Sequence, residues 1–174
     1  IGVTTLNMPG GEIFTSMQTG VLDAADWVGP YNDLAFGLHQ VADYYYTSAW
    51  NEPSAILEGT VNLDAWQALP DDLKVVVTEA ARSANLAMIN EFTLRNAEAL
   101  KTLVEDHGVK LRQFPDEVIE ALYASSQEVL AKQTEADEDS RKILESYRNF
   151  QSLVRPFSDV GEFAYLKTRE LVSG

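Results

Sequence analysis

The chain has 174 residues, of which 45% are hydrophobic, and its 13 Lys and Arg against 27 Asp and Glu give a formal net charge of −14. The length suits about one domain, and the acidity argues against nucleic acid and anionic membranes as partners, because both attract clustered Lys and Arg. The absence of Cys and the presence of only 2 His exclude disulfides, zinc–thiolate sites and a multi-histidine metal site.

The first part of the chain predicts a β-α-β unit. Val3–Asn7 is typical of a short strand, a helix opens at Pro9-Gly10-Gly11 and runs to about Thr19, and Val21–Val28 is typical of a second strand. Two strands joined by a helix imply a parallel pair. The elements predicted next are a helix over Asn32–Val41, an extended segment over Tyr44–Trp50 and a strand over Ala55–Asn62.

The second part predicts mainly helices. After Pro70 no Gly or Pro interrupts the chain as far as His107, and apolar residues recur at helical spacing. A helix of this length would span roughly 57 Å, which is more than one small domain needs. Strands followed by helices imply a mixed α/β fold. The other predicted elements are a helical turn over Asp64–Ala68, a strand over Val109–Gln113, and helices over Pro115–Lys132, Arg141–Val154 (ended by Pro156) and Val160–Leu171.

Charge is distributed unevenly along the chain. All 13 basic residues follow Leu73, and the preceding segment carries only acids. A site built from that segment alone would therefore favour a cation over an anion. The chain begins Ile1-Gly2-Val3 without a signal-peptide pattern, and we expect it to be a piece of a longer protein.

Two carboxylates have the context of a metal site. Asp26 and Glu52 each lie at the end of a predicted strand and precede a breaker, Gly29-Pro30 or Pro53. Ligands of open α/β sheets bind beyond the carboxyl ends of strands. Two carboxylates with main-chain carbonyls and no nearby base suit a hard cation such as Ca²⁺. The alternative, which spacing alone favours, is that both acids are solvated loop ends.

Aromatic residues and glycines near these acids admit two interpretations. Trp27, Tyr31 and Trp50 could wall a small-ligand pocket or could be core residues, and the run Tyr44–Tyr46 fits a half-buried strand better. The Gly10-Gly11 pair is better explained by turn geometry than by anion binding. No nucleophile–base set emerges, and His39 and His107 suit surface or capping positions.

Three segments carry a resemblance to a known family. They are Met8–Leu38 (MPGGEIFTSMQTGVLDAADWVGPYNDLAFGL), Trp50–Pro53 (WNEP) and Asn62–Leu73 (NLDAWQALPDDL). They resemble the solute-binding proteins of tripartite ATP-independent periplasmic (TRAP) transporters. The similarity is to the branch that binds 2-oxo and 2-hydroxy monocarboxylates, such as pyruvate and lactate, with a metal ion. It covers nearly the whole chain and corresponds to the C-terminal half of such a protein.

The resemblance implies an α/β fold that is part of a two-lobe, periplasmic-binding-protein-like architecture with a long spanning helix. It implies that residues 1–28 end the second lobe and that residues 29–69 form the hinge and the strands returning to the first lobe. It also implies that residues 70–133 contain the spanning helix and lobe helices, and that residues 134–174 form a C-terminal helical dimerisation extension.

The resemblance also implies a site. Its metal ligands would be the Asp26 carboxylate, the Trp27 carbonyl and the Glu52 carboxylate, and its substrate-binding residues Trp27, Tyr31 and Asn51. A Gln ligand and a carboxylate-binding Arg would come from the N-terminal half. The expected metal is Ca²⁺, with Na⁺ as the alternative.

The implied function is non-catalytic. Such a protein captures a small organic acid in the periplasm by cleft closure and delivers it to the permease subunits in the membrane, as a homodimer formed through its C-terminal helices. Two alternatives remain open: a fragment that acts only as a structural or dimerisation module, and a metal-dependent enzyme, for which no general base is evident at workable spacing.

Overall fold

The computed structural model of the chain describes residues 1–47, 50–54 and 57–172. In these ranges the protein is mainly helical and has a single two-stranded sheet. Contacts divide it into two compact units, Gly2–Pro115 and a C-terminal unit that begins at Asp116. That boundary lies inside the predicted 70–133 segment, and the predicted lobe and hinge bounds stay predictions. None of the described helices combines the length and apolar character needed to cross a bilayer.

The first unit combines short helices, a long helix and the two strands. The elements are α1 (Gly10–Gln18), α2 (Pro30–Ala35), a 3₁₀ turn (Leu38–Gln40), β1 (Tyr44–Thr47), α3 (Leu63–Ala68), α4 (Asp71–Glu105) and β2 (Lys110–Gln113).

The sheet is a parallel pair formed by β1 and β2. Tyr44 lies opposite Lys110 and Thr47 opposite Gln113, so α3 and α4 lie in the connection between the strands. The predicted β-α-β unit of residues 1–28 is wrong in its strands, because only α1 forms there. A strand needs a neighbour for its backbone N–H and C=O groups, and neither predicted segment has one among the described residues.

Two other predicted elements are also changed. The helix expected over Asn32–Val41 is interrupted at Gly37, whose φ of 75° ends α2 before the 3₁₀ turn begins. Of the strand expected over Ala55–Asn62, the first two residues lie outside the described residues, and 57–62 form no strand. The same absence of a paired neighbour explains this second difference.

Helix α4 is confirmed with bounds Asp71–Glu105, and its 35 residues span about 52 Å. Its last third builds the small core of the first unit, in which Ala99 and Leu103 are buried together with Ile13 and Val109. Apolar side chains nearer its N-terminal end are instead exposed. These exposed residues are Leu73, Val75, Val76, Val77, Leu86 and Ile89.

The C-terminal unit consists of α5 (Asp116–Ala136), α6 (Glu138–Val160) and α7 (Glu162–Val172). Asp137 is the N-cap of helix α6, and its side chain accepts from the Ser140 N–H at 2.6 Å. The predicted break at Pro156 is wrong, because α6 continues through it. The proline removes one hydrogen bond, to the carbonyl of Ser152. That residue is exposed, so water can replace the lost donor.

Along α6 and α7 an apolar stripe faces solvent. The side chains of Ile143, Tyr147, Phe150, Val160 and Phe163 are all exposed in the single chain. Such a stripe is typical of a helix that packs against another surface. The homodimer expected through these helices stays a prediction.

Candidate functional site

The two segments that carry the predicted metal ligands lie beside each other. The Asn51 Nδ2 donates to Asp26 Oδ2 at 3.1 Å, across 25 residues of sequence. Asp26, Asn51 and the adjacent Glu52 are all exposed, so their oxygen atoms are accessible. The structure therefore brings Asp26 next to the segment that contains Glu52.

Trp27 is half-buried between two first-unit elements. Its ring lies 4.9 Å from that of Phe36, centroid to centroid. A Cβ atom on Gly10 would lie 2.5 Å from Trp27 Cη2, so only glycine fits there without moving the indole. The glycine pair opens α1 as predicted. The reason that position 10 needs glycine, its close approach to the Trp27 indole, could not be inferred from turn geometry. The indole Nε1 is buried without a hydrogen-bond partner among the described residues.

Tyr31 is fixed to the long helix at the start of α2. Its backbone N–H donates to Asn96 Oδ1 at 2.9 Å, and its ring meets Phe92 edge-on at 5.9 Å. The N-cap residue Gly29 has no side chain with which to cap α2. Asn96 supplies the missing acceptor from α4, which is the role of an N-cap side chain. This link anchors the loop that carries Asp26 and Trp27.

A hydrogen-bonded pair that the sequence did not reveal, formed by a buried and a half-buried residue, lies beside this loop. Asp33 is 7% exposed and accepts a hydrogen bond from the Tyr45 hydroxyl at 2.5 Å. The backbone N–H of Gly29 also points at this carboxylate, at 3.4 Å. Burial raises the pKa of Asp33 against the opposing hydrogen bonds. Burial, followed by the hydrogen bond to Asp33, raises the pKa of Tyr45.

Period-2 alternation could have indicated part of this pair. Tyr44 and Tyr46 are exposed and Tyr45 is half-buried, as expected when successive strand residues point to opposite faces. Asp33 and Asn96 carry no such signal. The Tyr31–Asn96 hydrogen bond joins residues 65 positions apart and the Tyr45–Asp33 hydrogen bond residues 12 positions apart, and polar residues within helices are mostly exposed.

The two histidines of the chain meet just after the C-terminal end of α4, whose last residue is Glu105. The rings of His39 and His107 stack with centroids 4.0 Å apart. Burial, followed by the charge of His107, lowers the pKa of His39. The surface or capping positions predicted for His39 and His107 therefore did not include the contact between the two rings.

The donor set fits a hard cation. Asp26 and Glu52 offer carboxylate oxygens, the hydrogen-bond partner of Asp26 is a neutral amide, and the first 73 residues contain no Lys or Arg that could neutralise either acid. Among the described residues no three His, Asp or Glu side chains converge as a metal site. Because Ca²⁺ takes 6–8 oxygen ligands, two carboxylates and one carbonyl would need further ligands from substrate, water or other residues.

A family comparison covers most of the chain. Residues 1–137 match the sequence model of the bacterial extracellular solute-binding proteins of family 7 (DctP). A monocarboxylate 2-oxoacid-binding periplasmic protein of Nostoc sp. is 34% identical over 165 residues, which are 95% of this chain and 45% of that protein.

Two solved structures are similar throughout the chain. One is a TRAP periplasmic solute-binding protein from Colwellia psychrerythraea with bound calcium and pyruvate, which is 33% identical with a TM-score of 0.88. The other is a TRAP transporter solute-binding protein from Bordetella bronchiseptica, a mixed-occupancy dimer with copurified calcium and picolinate, which is 31% identical with a TM-score of 0.87. The match covers 96% of this chain in both cases, and 51% and 49% of those chains. The chain thus spans about half the length of the relatives it matches.

Proposed function

Because the chain belongs to the family 7 bacterial extracellular solute-binding proteins, we propose that it supplies one part of a TRAP solute-binding protein that captures a small 2-oxo or 2-hydroxy monocarboxylate with Ca²⁺. Members of this family are substrate-binding proteins of transporters and not enzymes. The relatives that bind calcium with pyruvate or picolinate support both the class of ligand and the metal.

The observation that carries this proposal is the hydrogen bond between Asn51 and Asp26. It joins the two segments that the resemblance assigns to the metal, although they are distant in sequence. In the proposal, Asp26, the Trp27 carbonyl and Glu52 hold the cation. When bound, the metal supplies positive charge to a wall that otherwise carries only acids and would repel a carboxylate.

The protein residues around the cation orient the substrate. Trp27 and Tyr31 provide an apolar wall with polar atoms, and Asn51 keeps an amide oxygen that does not take part in its hydrogen bond to Asp26. The buried Trp27 N–H without a partner is costly, so an acceptor provided by bound ligand would stabilise this site. Ligand binding would favour the closed cleft by its greater affinity for that state.

The remaining parts of the proposal concern location and partners. We assign the whole protein to the periplasm, with membrane permease subunits as the recipients of the substrate. We also assign a homodimer through α6 and α7, supported by their exposed apolar stripe and by the dimeric Bordetella relative. Light scattering that shows a monomer at micromolar concentration, at the natural length of the protein, would contradict this assignment.

The site is tested by calorimetry on the protein that carries this chain, at its natural length and freed of metal by a chelator. Pyruvate and lactate are titrated with and without Ca²⁺. We expect binding to require Ca²⁺, and Asp26→Asn and Glu52→Gln to weaken Ca²⁺ binding by more than about tenfold. Asp23→Asn is the matched control, because Asp23 is an exposed acid of the same loop with no proposed ligand role.

The outcomes separate the candidate functions. If Asp26→Asn and Glu52→Gln bind Ca²⁺ as tightly as Asp23→Asn, the metal site is wrong. If Na⁺ supports binding of the organic acid as well as Ca²⁺ does, the assignment of Ca²⁺ is wrong and the assignment of the site residues stands. If the natural-length protein binds neither acid but forms the dimer, the structural-module alternative replaces the proposal.

A further inference from the structure

A single buried carboxylate connects the two segments of the proposed metal site. Asp33 lies in α2, and among the described residues it is the only charged side chain that is buried. It accepts from the Tyr45 hydroxyl on β1 at 2.5 Å and from the Gly29 N–H at 3.4 Å.

These hydrogen bonds reach both ligand-bearing segments. Gly29 lies two residues after Trp27 in the chain, so Asp33 holds the first segment from its C-terminal side. Tyr45 belongs to β1, which leads toward Asn51 and Glu52. The Asn51–Asp26 hydrogen bond joins the same two segments at a second point. The segments are thus linked twice, and only the second link lies at the exposed surface.

Burial of a carboxylate is costly unless several donors surround it. A neutral apolar residue at position 33 would avoid this cost and still pack in α2. The carboxylate is therefore difficult to explain as a packing residue. Its hydrogen-bonding geometry is specific, because one acceptor group faces donors from a loop and from a strand.

We propose that Asp33 and Tyr45 are positioning residues that fix the spacing between the Asp26 and Glu52 ligands. This inference rests on the proposed function, because it presupposes that those two acids bind the metal. In this proposal the Tyr45–Asp33 hydrogen bond determines which size of ion the site prefers, although neither residue contacts the ion.

Fixed spacing between ligands has a measurable consequence. Ca²⁺ binds oxygen at 2.3–2.6 Å and Mg²⁺ at 2.0–2.1 Å, so a rigid pair of carboxylates favours one ionic size. The Tyr45–Asp33 hydrogen bond holds the two segments together and so strengthens this preference for one ionic size. Without this hydrogen bond the two acids can adapt to ions of different size. The affinity for the preferred ion then falls, and the affinities for different ions become more alike.

The test compares two tyrosine variants of the same strand. Tyr45→Phe removes the hydroxyl that donates to Asp33, and Tyr46→Phe removes the hydroxyl of a neighbour that is exposed and stacked on Phe114. We measure dissociation constants for Mg²⁺, Ca²⁺ and Ba²⁺ without substrate, by the change in tryptophan fluorescence, together with the melting temperature.

We expect Tyr45→Phe to lower Ca²⁺ affinity by about 10- to 100-fold, as is usual when a group that orients a metal ligand is lost. We expect it also to reduce the preference for Ca²⁺ over Mg²⁺ and Ba²⁺. Tyr46→Phe should leave the affinities and the preference unchanged. Asp33→Asn retains an amide oxygen that accepts from Tyr45, so its loss of Ca²⁺ affinity should be smaller than that of Tyr45→Phe.

Several results would overturn the inference. One is a lower melting temperature in Tyr45→Phe with an unchanged ion preference, because the hydroxyl would then be purely structural. Another is an Asp33→Asn variant that folds but loses as much affinity as Asp26→Asn, because charge and not position would matter. This second variant decides the question if Tyr45→Phe does not fold.

The inference and the proposed function fail in different ways. If Tyr45→Phe binds Ca²⁺ as Tyr46→Phe does while Asp26→Asn has lost binding, the inference is wrong and the proposed site stands. If Asp26→Asn and Glu52→Gln also bind Ca²⁺ normally, the proposed site itself is wrong.

Discussion

The contact between Gly10 and Trp27 predicts that two adjacent glycines respond in opposite ways to the same substitution. Both residues lie in the first turn of α1. A Cβ at position 10 would lie 2.5 Å from Trp27 Cη2, whereas one at position 11 would meet no atom within 4 Å. Gly10→Ala therefore has to displace the indole, and Gly11→Ala is the matched control.

The magnitudes follow from packing and helix propensity. An ordinary contact at Cβ begins near 3.4 Å, so the indole tip must move by about 1 Å. Overpacking of this kind costs about 1–3 kcal/mol. Alanine gains about 0.5–1 kcal/mol over glycine within a helix. Gly10→Ala should thus lower the free energy of unfolding by up to about 2.5 kcal/mol, and Gly11→Ala should raise it by about 0.4–1 kcal/mol.

The assay is urea unfolding followed by far-UV circular dichroism and by tryptophan fluorescence. We expect the Gly10→Ala midpoint below that of the unmodified protein and the Gly11→Ala midpoint above it, with unchanged slopes. Because Trp27 is a proposed substrate contact, Gly10→Ala should also weaken pyruvate binding. Equal midpoints for the two variants would show that the indole does not pack on Gly10, and the described position of Trp27 would be wrong.

Three further predictions concern other contacts. Asn96→Ala removes the acceptor for the Tyr31 N–H and should lower the free energy of unfolding by about 0.5–2 kcal/mol, measured in urea; no change would mean that α2 has no cap from α4. The pKa of His39 is lowered in the folded protein, so as pH decreases the unfolded chain binds a proton at this side chain before the folded protein does. The melting temperature should therefore fall as pH decreases through about 6.5, and His39→Gln should make the melting temperature less dependent on pH. The same pH dependence in His39→Gln would exclude the His39–His107 stack as the cause. Pro156→Ala restores a backbone donor inside α6 and should raise helix stability by up to about 3 kcal/mol; a lower melting temperature would show that the proline is needed where it is.

Elements with strong local signals could be predicted from the sequence. Helix α4 has uninterrupted helical periodicity, Pro70 before it and Gly108 after it, and its observed bounds are Asp71–Glu105. Strand β2 was predicted over nearly the observed range. The strands expected at residues 3–7 and 21–28 did not form, because strand formation depends on a paired neighbour and not on the segment alone.

The site could be predicted only in part for the same reason. The resemblance pointed to Asp26 and Glu52, and the structure places Asp26 beside Asn51. The Asp33–Tyr45 and Tyr31–Asn96 hydrogen bonds depend on tertiary contacts, the second across 65 residues, and no local pattern encodes them.

The long-range contacts of the first unit also govern when it can fold during synthesis. Tyr31 pairs with Asn96, and Thr47 with Arg112, each 65 residues later. A ribosome adds about 5–20 residues per second, so the early segment waits about 3–13 s for these partners. During that interval α2 lacks its contacts with α4, and β1 lacks its partner strand β2. The first unit can therefore complete its fold only after α4 and β2 have been synthesised.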